Sequence, residues 1–305
     1  MREELQQRLD SWLENGREDG EAVRELWSSY EALTHDLALT LCEQLRLILE
    51  PTLATRLKGD YRTGKRLNMK KIIPYIASQF KKDKIWLRRT RPSKRQYQVL
   101  IAVDDSRSMS ESHSVQLAYE SLALISRALG QLEVGEMAVV GFGEDVRLLQ
   151  PFADTWSPDS GPNVLSQLTF SQTRTDVARL MHATGELLQH ARDAGTGNSD
   201  LWQLQLIISD GICDDHQRLA ELVRAANDRR VMTVFIVLDN KPSNRSIMST
   251  KSARFVTVDG VQKLTMTRYM DTFPFEYYLV LRDVNMLPEV LADALRQYFS
   301  YVSGS

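Results

Sequence analysis

The sequence predicts an α/β protein with a doubly wound, mostly parallel sheet and a helical N-terminal annex. Two observations carry this reading. From residue 97 onward, strand-like apolar segments alternate with segments of helical period, and before residue 50 the apolar residues recur at helical spacing alone. Alternation of that kind implies a parallel sheet with helices on both faces. Ligands of such sheets bind outside the carboxyl ends of the strands, at the switch point.

Leu5, Leu9, Trp12 and Leu13 form the first helical pattern, which breaks at Asn15 and Gly16. A second pattern runs through Val23, Leu26, Trp27, Tyr30, Leu33 and Leu37 towards Leu49 and stops at Pro51, so two antiparallel helices are expected. A weaker helical segment, Met69 to Phe80, contains Pro74, which should kink or break it. Ile85 to Thr90 and Tyr97 to Val103 are strand-like and joined by a turn composition, which predicts a hairpin at the sheet edge. A helix follows from about Ser114 to Leu132, then strands at Met137 to Phe142 and Val146 to Gln150. After a Ser, Pro and Gly-rich loop come a helix from about Asp176, the strand Trp202 to Ser209, a helix near His216 to Asn227 and the strand Met232 to Leu238. An insertion of about residues 240–275 precedes the last strand, Tyr277 to Leu281, and the last helix, Pro288 to Phe299. The expected division is a helical annex and basic connector over 1–84 and a sheet domain over 85–305.

With 43% hydrophobic and 26% charged residues, the 305-residue chain has a globular balance and room for a sizeable core. The apolar runs Val99 to Val103 and Val234 to Leu238 fall far short of the roughly 18 residues of a membrane span, and no secretory signal is read at the start. Cys42 and Cys213 lie far apart, which excludes a disulfide framework and a CxxC metal site, so an intracellular, reducing compartment is expected. The net charge of −2 conceals a strong division: residues 1–55 carry 5 basic and 12 acidic side chains, 56–95 carry 15 and 2, and 96–305 carry 18 and 26. The basic segment either meets a polyanion or neutralises acidic parts of its own molecule.

Gly59, Gly64 and Lys65 have the spacing of a phosphate-binding loop, but Arg66 stands where a hydroxyl should hold magnesium and no apolar strand precedes Gly59. The five histidines show no metal-binding spacing. The informative segment follows the strand Val99 to Val103. There Asp104, Ser106 and Ser108 alternate, so their oxygens can converge while Asp105 and Arg107 point away. An oxygen-only cluster with few charges suits a small hard cation such as magnesium, with manganese as the alternative. Thr173 and Thr175 precede a helix, and Asp210, before Gly211, ends a buried strand. All of these lie on one edge of the sheet.

These residues resemble the metal ion dependent adhesion site of the von Willebrand factor A family: DxSxS, a Thr in a TxT segment and an Asp before Gly, with the match spanning about residues 97–300. The resemblance implies strand order 3-2-1-4-5-6, with Ser106, Ser108 and Thr173 coordinating the cation directly and Asp104 and Asp210 holding its waters. Thr175 is the alternative to Thr173. It also implies adhesion rather than catalysis, with a partner carboxylate as the last ligand. Longer stretches, Lys70–Met109, Gln205–Cys213 and Arg268–Asp283, resemble the C-terminal region of the giant dynein-related AAA ATPases of ribosome biogenesis. That resemblance implies a nuclear fragment, itself no enzyme, which grips ubiquitin-like domains of pre-60S assembly factors while the AAA ring of the full-length chain pulls them off. Arg107 and Asp105 beside the motif, and Lys241, Arg245, Lys251 and Arg254 in the basic insertion, are the candidate partner contacts. Two alternatives stay open: a subunit of a metal chelatase-type AAA complex, and a ribosomal RNA surface on residues 56–95.

Overall fold

The computed structural model describes residues 2–15, 20–49, 57–89, 96–112, 114–132, 135–194, 201–240, 246–258 and 261–304. The chain divides into two compact units, one comprising residues 1–45 with 96–305 and the other residues 46–95. This differs from a division at residue 84, because the N-terminal helices pack with the sheet domain.

Three helices open the chain: α1 (Arg2–Asn15), α2 (Gly20–Leu33) and α3 (His35–Leu49). The second helical pattern is therefore two helices, which meet at Thr34. There the Tyr30 carbonyl accepts both from the Thr34 amide at 3.0 Å and from the Thr34 hydroxyl at 2.8 Å. Val23, Leu26, Trp27 and Tyr30 bury one face of α2.

The smaller unit contains β1 (Leu57–Tyr61), β2 (Arg66–Leu67), α4 (Met69–Ala77) and β3 (Trp86–Arg89). Its strands form an antiparallel sheet of order β1-β3-β2. The basic connector is thus a folded element, and the expected hairpin between Ile85–Thr90 and Tyr97–Val103 does not form. Pro74 lies inside α4 without ending it, and the Asn68 side chain caps the helix by accepting from the Lys70 amide. Lys65 leads into β2 and not into a helix, so Gly59 to Lys65 is no phosphate loop.

The large unit continues with β4 (Gln96–Asp104), α5 (Arg107–Glu111), α6 (Val115–Leu132), β5 (Gly135–Phe142), β6 (Val146–Gln150), α7 (Ser160–Gln167), α8 (Val177–Ala194), β7 (Leu201–Ser209), α9 (His216–Asp228) and β8 (Val231–Leu238). A hairpin of β9 (Lys251–Val258) and β10 (Val261–Arg268), then β11 (Tyr277–Leu281) and α10 (Leu287–Gly304), complete it. Six strands make one sheet in the order β6-β5-β4-β7-β8-β11, all parallel except the β5–β6 pair. Counted in chain order this is 3-2-1-4-5-6, the expected von Willebrand factor A arrangement. With parallel neighbours on both sides, β4 has no free edge for a hairpin with β3.

Burial follows from helices covering both faces. All eight residues of β8 are buried. Leu100, Ala102, Phe142, Ile207 and Phe235 pack with Leu180, Met181, Leu219 and Val223 of α8 and α9. The alternate residues Ile101, Val103 and Val139 are equally buried and face the other side, where Leu122, Ile125 and Leu129 of α6 are also buried. The N-terminal helices dock through aromatic contacts: Tyr30 lies 5.8 Å from Tyr119, and Trp27 lies 6.4 Å from Trp156. Gly161 makes the second contact possible, since a Cβ there would come within 2.0 Å of the Trp27 ring.

The described residues of the insertion form mostly regular structure, where a loop was expected. A short 3-10 turn, Ile247–Ser249, leads into the β9–β10 hairpin, registered from Lys251 opposite Arg268 to Val258 opposite Val261. Its base is clasped: the buried Asp239 carboxylate accepts from the Ser246 hydroxyl at 2.5 Å and from the Arg282 guanidinium at 3.3 Å, and the Asp239 amide donates to the Leu281 carbonyl.

Candidate metal centre

The sheet reverses its direction of winding between β4 and β7, which is where a ligand crevice opens in such folds. Asp104 is the last residue of β4, and Asp210 directly follows β7. Both are buried.

The Asp104 carboxylate is fixed on both oxygens. Oδ1 accepts from the Ser106 amide at 2.9 Å and Oδ2 from the Ser209 hydroxyl at 2.6 Å. Burial pushes its carboxyl up from the ordinary carboxylate range to about 7; the hydrogen bonds from Ser209 and Ser106 oppose the rise, and the neighbouring charge of Asp210 adds to it. Ser106 precedes α5 and Ser108 lies in its first turn, with their hydroxyl oxygens 2.9 Å apart. Adjacent ligands of an octahedral magnesium, with bonds near 2.1 Å, are separated by about the same distance, roughly 2.9 Å. Asp210 Oδ1 accepts from the Ile212 amide at 3.3 Å, whereas its Oδ2 is buried with no hydrogen-bond partner. An orphaned buried carboxylate oxygen is costly unless a cation or ordered water meets it. Every donor atom here is oxygen, which suits a hard cation such as magnesium or manganese.

Thr173 is placed beside the motif by its neighbour. Gln172 pairs in parallel with Ser106, its carbonyl accepting from the Arg107 amide at 2.8 Å. The Thr173 hydroxyl donates to Glu144 Oε2 at 3.2 Å, so Glu144, absent from the sequence reading, belongs to the same rim. Thr175 is half-buried just before Asp176, whose carboxylate accepts from the Arg179 amide at the start of α8.

Asp105 does point away from Asp104, but it is no partner contact. It is fully buried, and its carboxylate takes donors on both oxygens. Oδ1 accepts from the Thr169 and Phe170 amides, each at 2.5 Å. Oδ2 accepts from the Arg147 guanidinium, from the Thr169 hydroxyl at 3.1 Å and from Gln172 Nε2 at 3.1 Å. The residue is an anchor that ties β4 to the loop carrying Thr173. Arg107 is exposed and pairs with Glu111 at 3.0 Å. Lys251 and Arg254 lie on β9, and Lys241 and Arg245 fall outside the described residues.

Two further residues shape the site. Gly211 has φ +83°, and a Cβ there would stand 2.7 Å from both Val237 and Ile247. The Tyr269 hydroxyl, just after β10, accepts from the Cys213 amide at 2.8 Å and lies 3.0 Å from the Gly211 carbonyl, holding the loop after Asp210. Its pKa is pushed up, first by burial. Neither Tyr269 nor Gln172 carries a local sequence signal, because each acts through loops distant in the chain.

No protein-family profile matches the chain. It is 47% identical to midasin of Dictyostelium discoideum over 296 residues, covering 97% of this chain, and 42% identical to midasin of Giardia intestinalis over 271 residues, covering 88%. It spans only 5% and 6% of the lengths of these two relatives. Among solved structures, it is similar to BatB of Bacteroides thetaiotaomicron (TM-score 0.43, 16% identity, 67% of this chain and 99% of that one). Proximal thread matrix protein 1 of mussel byssus, solved with a zinc-occupied MIDAS motif, superposes at TM-score 0.41 with 13% identity, over 67% of this chain and 46% of that one. By sequence, then, the chain is a midasin homologue along nearly its whole length, matching a segment that makes up about one-twentieth of the relative.

Proposed function

We propose that the chain is a protein-binding domain that depends on a divalent cation, magnesium or manganese, bound at the end of β4. The observation that carries the reading is the orphaned Oδ2 of buried Asp210 beside Asp104, Ser106 and Ser108 at the switch point. Ser106, Ser108 and Thr173 supply hydroxyl ligands. Asp104 and Asp210 act through the waters of the cation, and Ser209 orients Asp104 for this by occupying its Oδ2. Hydroxyl ligands add no charge, so a bound cation stays electrophilic and draws a carboxylate from a partner. Asp105 keeps the two loops in register without touching the cation.

The homology to midasin supports a finer reading. The partner is a ubiquitin-like domain of a pre-60S assembly factor, captured in the nucleus through an acidic residue. The AAA ring of the full-length chain then uses ATP to remove it. The fragment itself binds and carries no chemistry. To test this, binding of a ubiquitin-like domain is measured by calorimetry in magnesium, in EDTA, and with Ser106→Ala. Loss in EDTA and in the variant is expected; affinity unchanged by both would rule out a metal bridge.

A second reading is favoured by the small unit. Among its described residues the two acids, Asp60 and Asp83, are already paired with Lys71 and Arg62, whereas Lys65, Arg66, Lys70, Lys81, Lys82 and Lys84 are exposed. That surface suits ribosomal RNA. Affinity for RNA that falls steeply between low and physiological salt would support it, and a flat response would exclude it.

A further inference from the structure

Next to Asp210 lies a cavity of about 130 Å³, bordered also by Ile212, Leu238, Ile247, Thr250 and Tyr269. Leu238 and Ile247 are buried and make its inner wall apolar, while Ile212 is 51% exposed, as is Met248 to 46%, next in chain to Ile247. Ile212, which lines the cavity, and Met248, next in chain to a lining residue, are thus two large apolar side chains exposed to water. The acid at the far side, Asp239, is paired with the Arg282 guanidinium and accepts a hydrogen bond from Ser246. The wall made by Tyr269 is fixed by its hydroxyl contacts to the Gly211 carbonyl and the Cys213 amide. At about 30 Å³ per water the cavity has room for about four waters, the same number as the heavy atoms of a leucine side chain.

We propose that this cavity is a second subsite of the metal centre, taking a branched aliphatic side chain of the partner beside the carboxylate that reaches the cation. The inference rests on the metal-dependent reading above and names its specificity: an acidic residue with Leu, Ile or Val next to it in space. The adjacency carries it. Asp210 contributes its orphaned oxygen to the metal site and also borders the cavity, so a ligand seated on one lies against the other. An acidic residue alone would use only half of this surface.

The test uses two small carboxylates as probes, acetate and 4-methylpentanoate, titrated into the 305-residue chain with magnesium or with EDTA. Methyl resonances of Ile212, Ile247 and Met248 are followed by NMR. Both probes should bind only with magnesium, and 4-methylpentanoate should bind tighter by about tenfold or more, since burying two of its four extra carbons suffices for that. Ile212→Ser, at an exposed position, should reduce that gain while leaving acetate binding and magnesium affinity unchanged. If acetate binds with magnesium and 4-methylpentanoate binds no tighter, the subsite is refuted and the metal reading stands. If neither probe responds to magnesium, the metal reading fails and the subsite with it. Binding of 4-methylpentanoate that ignores EDTA also overturns the proposal.

Discussion

Replacing Asp105 by alanine separates a buried anchor from a partner contact. The substitution removes the acceptor of two main-chain amides, Thr169 and Phe170, and of Arg147, Gln172 and the Thr169 hydroxyl. Phe170 sits at φ +49°, a left-handed conformation that a non-glycine residue holds only when its surroundings enforce it. Two amides deprived of their acceptor cost about 1–3 kcal/mol each. The Arg147 side chain is 41% exposed and recovers hydration, so its share is discounted and the total is about 3–5 kcal/mol. For a chain of this size that lowers the melting temperature by roughly 5–8 °C. The assay is urea and thermal unfolding followed by circular dichroism, run beside binding of the ubiquitin-like domain. Asp105→Asn, which keeps the shape and one acceptor, should lose less. An alanine variant as stable as its parent but unable to bind would refute the anchor argument and restore Asp105 as a contact.

Gly211→Ala should cost about 2 kcal/mol or more in unfolding free energy, because the left-handed backbone and contacts at 2.7 Å to Val237 and Ile247 leave no room for a Cβ; an unchanged urea midpoint would contradict this. Tyr269→Phe removes the hydroxyl that holds Gly211 and Cys213, and faster hydrogen exchange at the Cys213 amide is expected, with a stability loss of about 1 kcal/mol. Cys213 is buried and its thiol is pushed up to about 12, mainly by that burial, so almost none is thiolate at pH 8. Iodoacetamide should therefore leave it unmodified in the folded chain and label it after unfolding. Arg107→Ala removes only an exposed pair with Glu111, and thermal unfolding should move by less than about 1 kcal/mol.

The sheet was legible because its strands announce themselves. Val99 to Val103 and Val234 to Leu238 are continuous apolar runs, as strands covered on both faces must be, and the alternation with helices leaves few topologies open. The candidate metal motif was legible because its spacing sits at a strand end, although Ser106 and Ser108 approach each other through the turn into α5 and not by strand alternation. Asp105 was misread, since its role depends on Arg147 and on the Thr169–Gln172 loop, and no local pattern links them. The fold of residues 57–89 escaped as well. Leu57–Tyr61 and Arg66–Leu67 are short and rich in basic residues, without apolar alternation, so their pairing with Trp86–Arg89 has no signature in the chain. The β9–β10 hairpin escaped for a different reason: Leu264 and Met266 alternate with Thr265 and Thr267, but the run is short and set among Ser, Thr and basic residues, so it reads as a polar insertion.

The clasp formed by Asp239, Ser246 and Arg282 makes the insertion a cartridge. Both ends of the excursion are stapled where β8 meets β11, so the sheet does not register what hangs between them. A shorter hairpin, a longer one or a grafted loop could be exchanged at this socket with the parallel strands unmoved. On the reading proposed above, residues of the hairpin could then be altered while the strand ends that carry Asp104 and Asp210 stay in place.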